Sequence, residues 1–261
     1  METILRRGRR NLKVKTAQLL FSASLLLAAP TRAETLHLVA NYWEPFTGEQ
    51  LEKQGAASDL VRTAMARSGY DVDIKIEPWA RALNEIDNGH VDGVVAVWRT
   101  TERADHIAFS DAYFVNHLVL IARKERHFKF TSLADLTGLT IGVGRAYDYN
   151  NELESADNFR KEPATTAELN FKKLSAGRVD LVLEDNCIAR FLQQEKIEGF
   201  DFDRDLEIIS PQVYDIPLYF GMSRLHPHFD LVIESFNRAL ADMKKDGSYQ
   251  AILANHHLSA C

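Results

Sequence analysis

Between Thr35 and Val97 the spacing of apolar residues alternates between two periods. Thr35 to Ala40 alternates apolar and polar residues, and Asp71 to Glu77 places Val72, Ile74 and Ile76 on one face. Val94 to Val97 is apolar throughout. Two stretches with helical spacing separate these three: Ala57 to Arg67, carrying Leu60, Val61, Ala64 and Met65, and Ala80 to Asn88, closed by Gly89. A period of about 2 belongs to strands and one of about 3.6 to helices. Short strands alternating with helices of this length favour an open, mostly parallel α/β sheet. Ser58 or Asp59 is placed to cap the first helix.

The third strand ends abruptly in polar residues. Trp98 is followed by Arg99, Thr100, Thr101, Glu102 and Arg103, then by Phe109, Ser110 and Tyr113. Ligands of α/β sheets sit beyond the carboxyl ends of the strands, and an arginine fork grips a carboxylate through two parallel hydrogen bonds. The run therefore reads as a site for an anion, or as a solvated turn after an edge strand.

The rest of the chain continues in the same manner. A strand is expected over Val115–Lys124, a short helix over Ser132–Leu136 and a strand over Thr140–Val143. A helix over Thr166–Ser175, a strand over Val179–Leu183 and a helix over Cys187–Gln194 follow. Pro217–Met222 then reads as a strand, and Pro227–Lys245 and Ser248–Leu258 as closing helices.

Taken in order, Trp79, Leu83, Gly89, Asp92, Thr100, Arg103, Phe109, Ser110 and Tyr113 resemble the pattern of bacterial solute-binding proteins of family 3, the polar amino-acid receptors of ABC transporters. So do Trp43-Glu44-Pro45-Phe46, Gly55 with Asp59-Leu60 and Ala64, and Ile141-Gly142-Val143. Ala176 to Asp180 with Asp185, and the C-terminal run from Phe236 to Ala254, are similar to further family blocks. The resemblance implies a two-lobed α/β fold of the type II periplasmic binding class. Residues 34–119 would form the first part of lobe 1, 120–218 lobe 2, and 219–261 a return to lobe 1. Two crossing strands, near 118–123 and 216–222, would serve as a hinge.

By the same resemblance Arg103 binds a ligand carboxylate and Asp185 a ligand ammonium group. Trp43 and Trp79 flank the ligand, and Tyr147 is the hydroxyl residue of the second lobe's loop. Asp185 also reads as a helix N-cap ahead of Cys187 and Ile188, and the tryptophans as ordinary core residues. Trp98 departs from the family, which often has a small hydroxyl residue there; a third indole shrinks the pocket or stacks on an aromatic or cationic ligand. Ala96 replaces a frequent Ser or Gly. Asp148 would repel a carboxylate unless it turns away, and Glu44 and Arg81 read as surface charges.

Residues 1–33 read as a secretory signal peptide: a basic start with Arg6, Arg7, Arg9 and Arg10, an apolar run from Ala17 to Ala29, and a small-residue cleavage site at Thr31-Arg32-Ala33. The whole chain has 31 Lys+Arg and 37 Asp+Glu. Seven of the former and one of the latter lie in the leader, which leaves the exported part at a formal −12. Such an acidic domain is a poor partner for nucleic acid or anionic lipid. The two cysteines, Cys187 and Cys261, either pair in an oxidising compartment or remain apart. His226 with His228, and His256 with His257, lack the helical spacing of zinc ligands, and no cofactor is expected.

The leading expectation is a monomeric periplasmic receptor that closes on a small amino acid or carboxylate and delivers it to an ABC permease. Two alternatives share the scaffold. One is an enzyme resembling cyclohexadienyl dehydratases, with Glu184 or Asp148 as general acid; the other is a ligand sensor without a transporter.

Overall fold

The computed structural model describes residues 33–149, 151–194 and 201–259. The expected signal peptide lies almost wholly outside them, as does Cys261, so neither the leader nor a Cys187–Cys261 pairing is among the described features. Ala33–Cys261 forms one compact unit.

In chain order the elements are β1 (Glu34–Ala40), α1 (Ala56–Arg67), β2 (Tyr70–Ile76), α2 (Trp79–Asp87), β3 (Gly93–Trp98), α3 (Thr101–His106), β4 (Ile107–Phe109) and β5 (Phe114–Arg123). There follow β6 (Thr140–Gly144), α4 (Asn151–Ser155), β7 (Arg160–Ala164), α5 (Ala167–Ser175), β8 (Leu181–Asp185), α6 (Asn186–Gln194), α7 (Phe202–Asp205), β9 (Leu206–Ser223), α8 (Phe229–Asp246) and α9 (Ser248–Asn255). The strands run in the order β2-β1-β3-β9-β5-β8-β6-β7, with β4 on β9. Two parallel trios, β2-β1-β3 and β8-β6-β7, thus flank an antiparallel pair, β9 and β5. Helices α8 and α9 pack against α1, on the half that begins the chain.

The two long strands join the halves. β5 pairs with β9 from Phe114–Leu218 to Arg123–Leu206, with a register shift between Leu118 and Leu120. Leu118, Leu120, Leu218 and Phe220 on these strands are fully buried. Burial of side chains of this size stabilises by about 1.5–3 kcal/mol each. β9 also meets β3 so closely that a Cβ on Gly93 would stand 2.5 Å from the Gly221 carbonyl oxygen, a separation only glycine allows.

Several elements differ from the sequence reading. β9 begins at Leu206 rather than Pro217; Pro211 and Pro217 interrupt its pattern, since proline cannot donate to a ladder. Helix α1 starts at Ala56 with Gly55 at its N-cap and no side-chain cap. Asp59 instead bonds Lys53 and His256 (3.0 and 3.1 Å). The short elements α3, β4, α4, β7 and α7 were not anticipated.

A tryptophan-lined cavity closed by Arg103

Four chain segments of the first half converge on one cavity. Asn41 and Trp43 follow the end of β1, Trp79 opens α2, Ala96 to Trp98 end β3, and Arg103 lies on α3. Tyr147, from the loop after β6, and Leu218 on β9 complete the wall. The cavity measures about 20 Å³, room for about one water and far less than a small-molecule pocket needs.

The Thr100-x-x-Arg103 spacing has a local cause. Thr100 is the N-cap of α3, and its hydroxyl accepts the backbone N–H of Arg103 at 3.1 Å. This fixes the turn from which the Arg103 side chain projects. Arg103 is only 7% exposed. Its Nη1 donates to the Trp98 carbonyl at 3.0 Å, and its carbon stands 5.2 Å from the Trp79 ring. Nη2 reaches the other half, donating to the Ala146 carbonyl at 3.4 Å and to the Asp148 carboxylate. Burial lowers the Arg103 pKa, and Asp148 opposes that shift. Trp79 spans the same gap, its Nε1 donating to the Ala146 carbonyl at 2.9 Å. Asp148 is thus the partner of Arg103.

Trp43, Trp98, Tyr147 and Tyr149 form a continuous ring cluster. Trp98 lies 5.8 Å from Trp43, 5.2 Å from Tyr147 and 5.9 Å from Tyr149, mostly edge to face, the geometry that ring quadrupoles favour. Gly144 admits Tyr147, because a Cβ there would overlap the ring. Glu184, near the end of β8, stands against this cluster and is 3% exposed. Its Oε1 accepts the backbone N–H of Asp185 at 2.9 Å. Burial raises its pKa to about 8; the Asp185 backbone N–H opposes this, the Asp185 charge adds to it, and the Trp43 indole opposes it weakly. That indole N–H is nevertheless buried without a completed hydrogen bond among the described residues.

Asp185 points elsewhere. Its Oδ1 accepts Cys187 N and Ile188 N (2.8 and 3.2 Å), capping α6, and its Oδ2 accepts Asn116 Nδ2 and His117 N (3.1 and 3.0 Å). It is wholly buried and absent from the cavity wall. The cap reading describes it, and the structure does not bring it to the cavity with Arg103, Trp43, Trp79, Trp98 and Tyr147. Asp185 acts on the wall indirectly: Asn116 Oδ1 accepts the Trp98 indole N–H at 2.8 Å.

Sequence reasoning left out Asn41, Asn116 and Tyr149, and treated Glu184 only as a possible acid. The Phe109-Ser110…Tyr113 block serves the fold: Ser110 Oγ accepts Phe220 N (3.1 Å), and the Tyr113 hydroxyl donates to the Val95 carbonyl (3.0 Å). Glu44 is half-buried, with its pKa raised by burial, and is not the expected surface charge. Arg81 is exposed and pairs with Glu77 (3.7 Å). Trp98 also borders a cleft of about 710 Å³ lined by Arg99, Thr100, Asp148, Tyr149 and Glu152, among others. No group of metal-ligand residues occurs among the described residues, and none of the described helices is long and apolar enough to cross a membrane.

The chain is 29% identical over 157 residues to the ABC transporter arginine-binding protein 1 of Escherichia coli, covering 59% of this chain and 60% of that protein. It is 24% identical over 211 residues to the L-cystine-binding protein TcyJ of the same species, covering 79% and 75%. The match thus spans less than two thirds of the first relative's length. In fold it is similar to an ancestral arginine-binding protein bound to arginine, with a TM-score of 0.73 and 24% identity over 86% of this chain and 98% of that one. The fold is that of the type II periplasmic binding proteins. The model of bacterial extracellular solute-binding proteins, family 3, matches residues 37–259, and the chain belongs to that family.

Proposed function

We propose that this protein is a periplasmic receptor that captures a small amino-acid-type ligand between its two halves and presents it to an ABC permease. One observation carries the reading: a buried arginine, set in a wall of tryptophans, holds a carboxylate of the opposite half. The ligand's own carboxylate takes the place of Asp148 on Arg103. The exchange needs the halves to part, since the present cavity holds about one water, and to close again over the ligand. β5 and β9, as the two long connections, are the bending elements. Residues 34–119 with 219–261, and residues 120–218, are the moving bodies. The relatives named for binding arginine and cystine support an amino-acid ligand, and their transporter names support a permease partner.

The same wall, which positions charges and rings and uses Asp148 as a counter-ion, supports binding rather than catalysis. The test is calorimetric titration with arginine, histidine, cystine and dicarboxylates. Saturable binding of an amino acid by the wild type, with loss in Arg103→Ala, supports the reading. No binding to any of them, or binding untouched by the substitution, refutes it.

A further inference from the structure

We propose that Asn116, which is absent from the cavity wall, is the positioning residue that fixes the Trp98 indole and through it the size of ligand the cavity accepts. This rests on the reading of the tryptophan-lined cavity as a ligand site and names the residue that sets its width. Asn116 lies fully buried on β5. Its Oδ1 accepts the Trp98 indole N–H at 2.8 Å, and its Nδ2 donates to Asp185 Oδ2 at 3.1 Å. An indole N–H only donates, so the amide oxygen must face Trp98 and the NH2 group is left for Asp185. The backbone N–H groups of His117, Cys187 and Ile188 also donate to that carboxylate. It thus accepts the amide NH2 as one more donor. One orientation of the Asn116 amide satisfies both neighbours, and the reverse satisfies neither.

Through Trp98 this orientation reaches the ligand site. The ring borders both the cavity of about 20 Å³ and the cleft of about 710 Å³, while Asn116 lines neither. The angle of the ring therefore divides the room between the two spaces. Trp98 is held at both ends: its carbonyl accepts Arg103 Nη1 at 3.0 Å, and its indole is tied to Asn116. Ring contacts alone leave the angle loose. Trp43, Tyr147 and Tyr149 stand 5.2–5.9 Å away by centroid, edge to face or tilted, and such pairs tolerate a range of separations and tilts. The buried hydrogen bond is stricter, because breaking it strands a donor away from water.

Asn116 also sits where the sheet is narrowest. β8 pairs with β5 from Leu118 onward, and β3 with β9 from Leu218 onward. Residues 115–117 and 215–217 lie outside both ladders and pair with one another, Asn116 opposite Ile216. From this two-stranded ribbon Asn116 reaches the end of β3 through Trp98 and the end of β8 through Asp185. A bend in the ribbon moves the amide, and the indole follows it.

Two measurements test the assignment. The first is hydrogen exchange of the indole N–H groups in the ligand-free wild type, followed by NMR. The Trp98 indole should exchange at least about tenfold more slowly than that of the half-buried Trp79. Equal rates overturn the tether, and because only the wild type is used, this holds even where a variant does not fold. The second is calorimetric titration of wild type, Asn116→Leu, Trp98→Phe and the double variant with L-serine, L-glutamine, L-histidine and L-arginine. In Asn116→Leu the ring is free to turn, so affinity for the larger probes relative to the smaller should rise about fivefold or more. The same substitution made on Trp98→Phe, which has no N–H to hold, should change those ratios less than about twofold. An equal loss for all probes in Asn116→Leu overturns the Asn116 assignment and leaves the cavity reading intact. So does a shift in preference that persists undiminished on Trp98→Phe. Binding of no probe by the wild type overturns the cavity reading and this inference with it.

Discussion

Arg103 on α3 and Asp148 in the loop after β6 form an ion pair, with 8% and 48% of their side chains exposed. Beside it, Trp79 and Arg103 both donate to the Ala146 carbonyl. These three contacts tie α2 and α3 to the loop after β6. Asp148→Asn removes the competing carboxylate but keeps a side chain of the same size. Affinity for a carboxylate ligand should rise about three- to tenfold, a gain of roughly 1 kcal/mol suited to a half-exposed pair. Scattering of the ligand-free variant should show a more open particle. A fall in affinity would mean that Asp148 helps to hold the ligand.

Asp185→Ala should destabilise the protein by about 3 kcal/mol in urea unfolding. The substitution removes a helix cap, worth about 1 kcal/mol, and strands the buried donors Asn116 and His117 at about 1–3 kcal/mol. Because Asn116 also holds the Trp98 indole, tryptophan emission of the folded variant should shift. A change below 0.5 kcal/mol, by contrast, would be inconsistent with these four hydrogen bonds.

Glu184 sets a pH dependence of stability. Its folded pKa, about 8, lies above the unfolded value of about 4.3. Stability is therefore full below about pH 4.3 and is lost as pH rises through 8. The ligand-free wild type should lose at least roughly 2 kcal/mol relative to Glu184→Gln between pH 5 and pH 8.5 in paired denaturant titrations. Parallel curves for the two proteins would place Glu184 in contact with water.

Trp98→Ser restores the small hydroxyl residue common in the family. The cavity should gain the volume of an indole, and the change should cost about 3–5 kcal/mol of stability, as for other buried tryptophans. Thermal-shift profiles should then respond to bulkier amino acids than the wild type accepts. Unchanged selectivity would argue that Trp98 packs the core without shaping the site.

Much of this was legible in the chain because it rests on local pattern. The strand–helix alternation from Thr35 to Val97 anticipates β1 to β3, and the run from Trp98 to Arg103 points to the arginine that closes the cavity. What escaped depends on distant partners. That Asp185 caps α6 while Glu184 lies beside Tyr147 and Tyr149 turns on the phase of β8, and adjacent acids in a strand look alike until their neighbours are known. That Asp148 pairs with Arg103 could not be read from the chain, because the two lie 45 positions apart. The burial of Arg103 likewise comes from Trp79 and from a loop about 45 positions away.

The account stands or falls on Arg103. Calorimetric titration of wild type, Arg103→Ala, Arg99→Ala and Arg81→Ala with the amino acid that binds best measures it directly. Loss of a desolvated charge partner costs about 2–5 kcal/mol, so Arg103→Ala should weaken binding at least roughly thirtyfold, with both controls within about threefold of wild type. An analogue lacking the carboxylate should lose much less affinity for Arg103→Ala than for wild type. If the two proteins discriminate equally against that analogue, Arg103 is not the ligand's carboxylate partner.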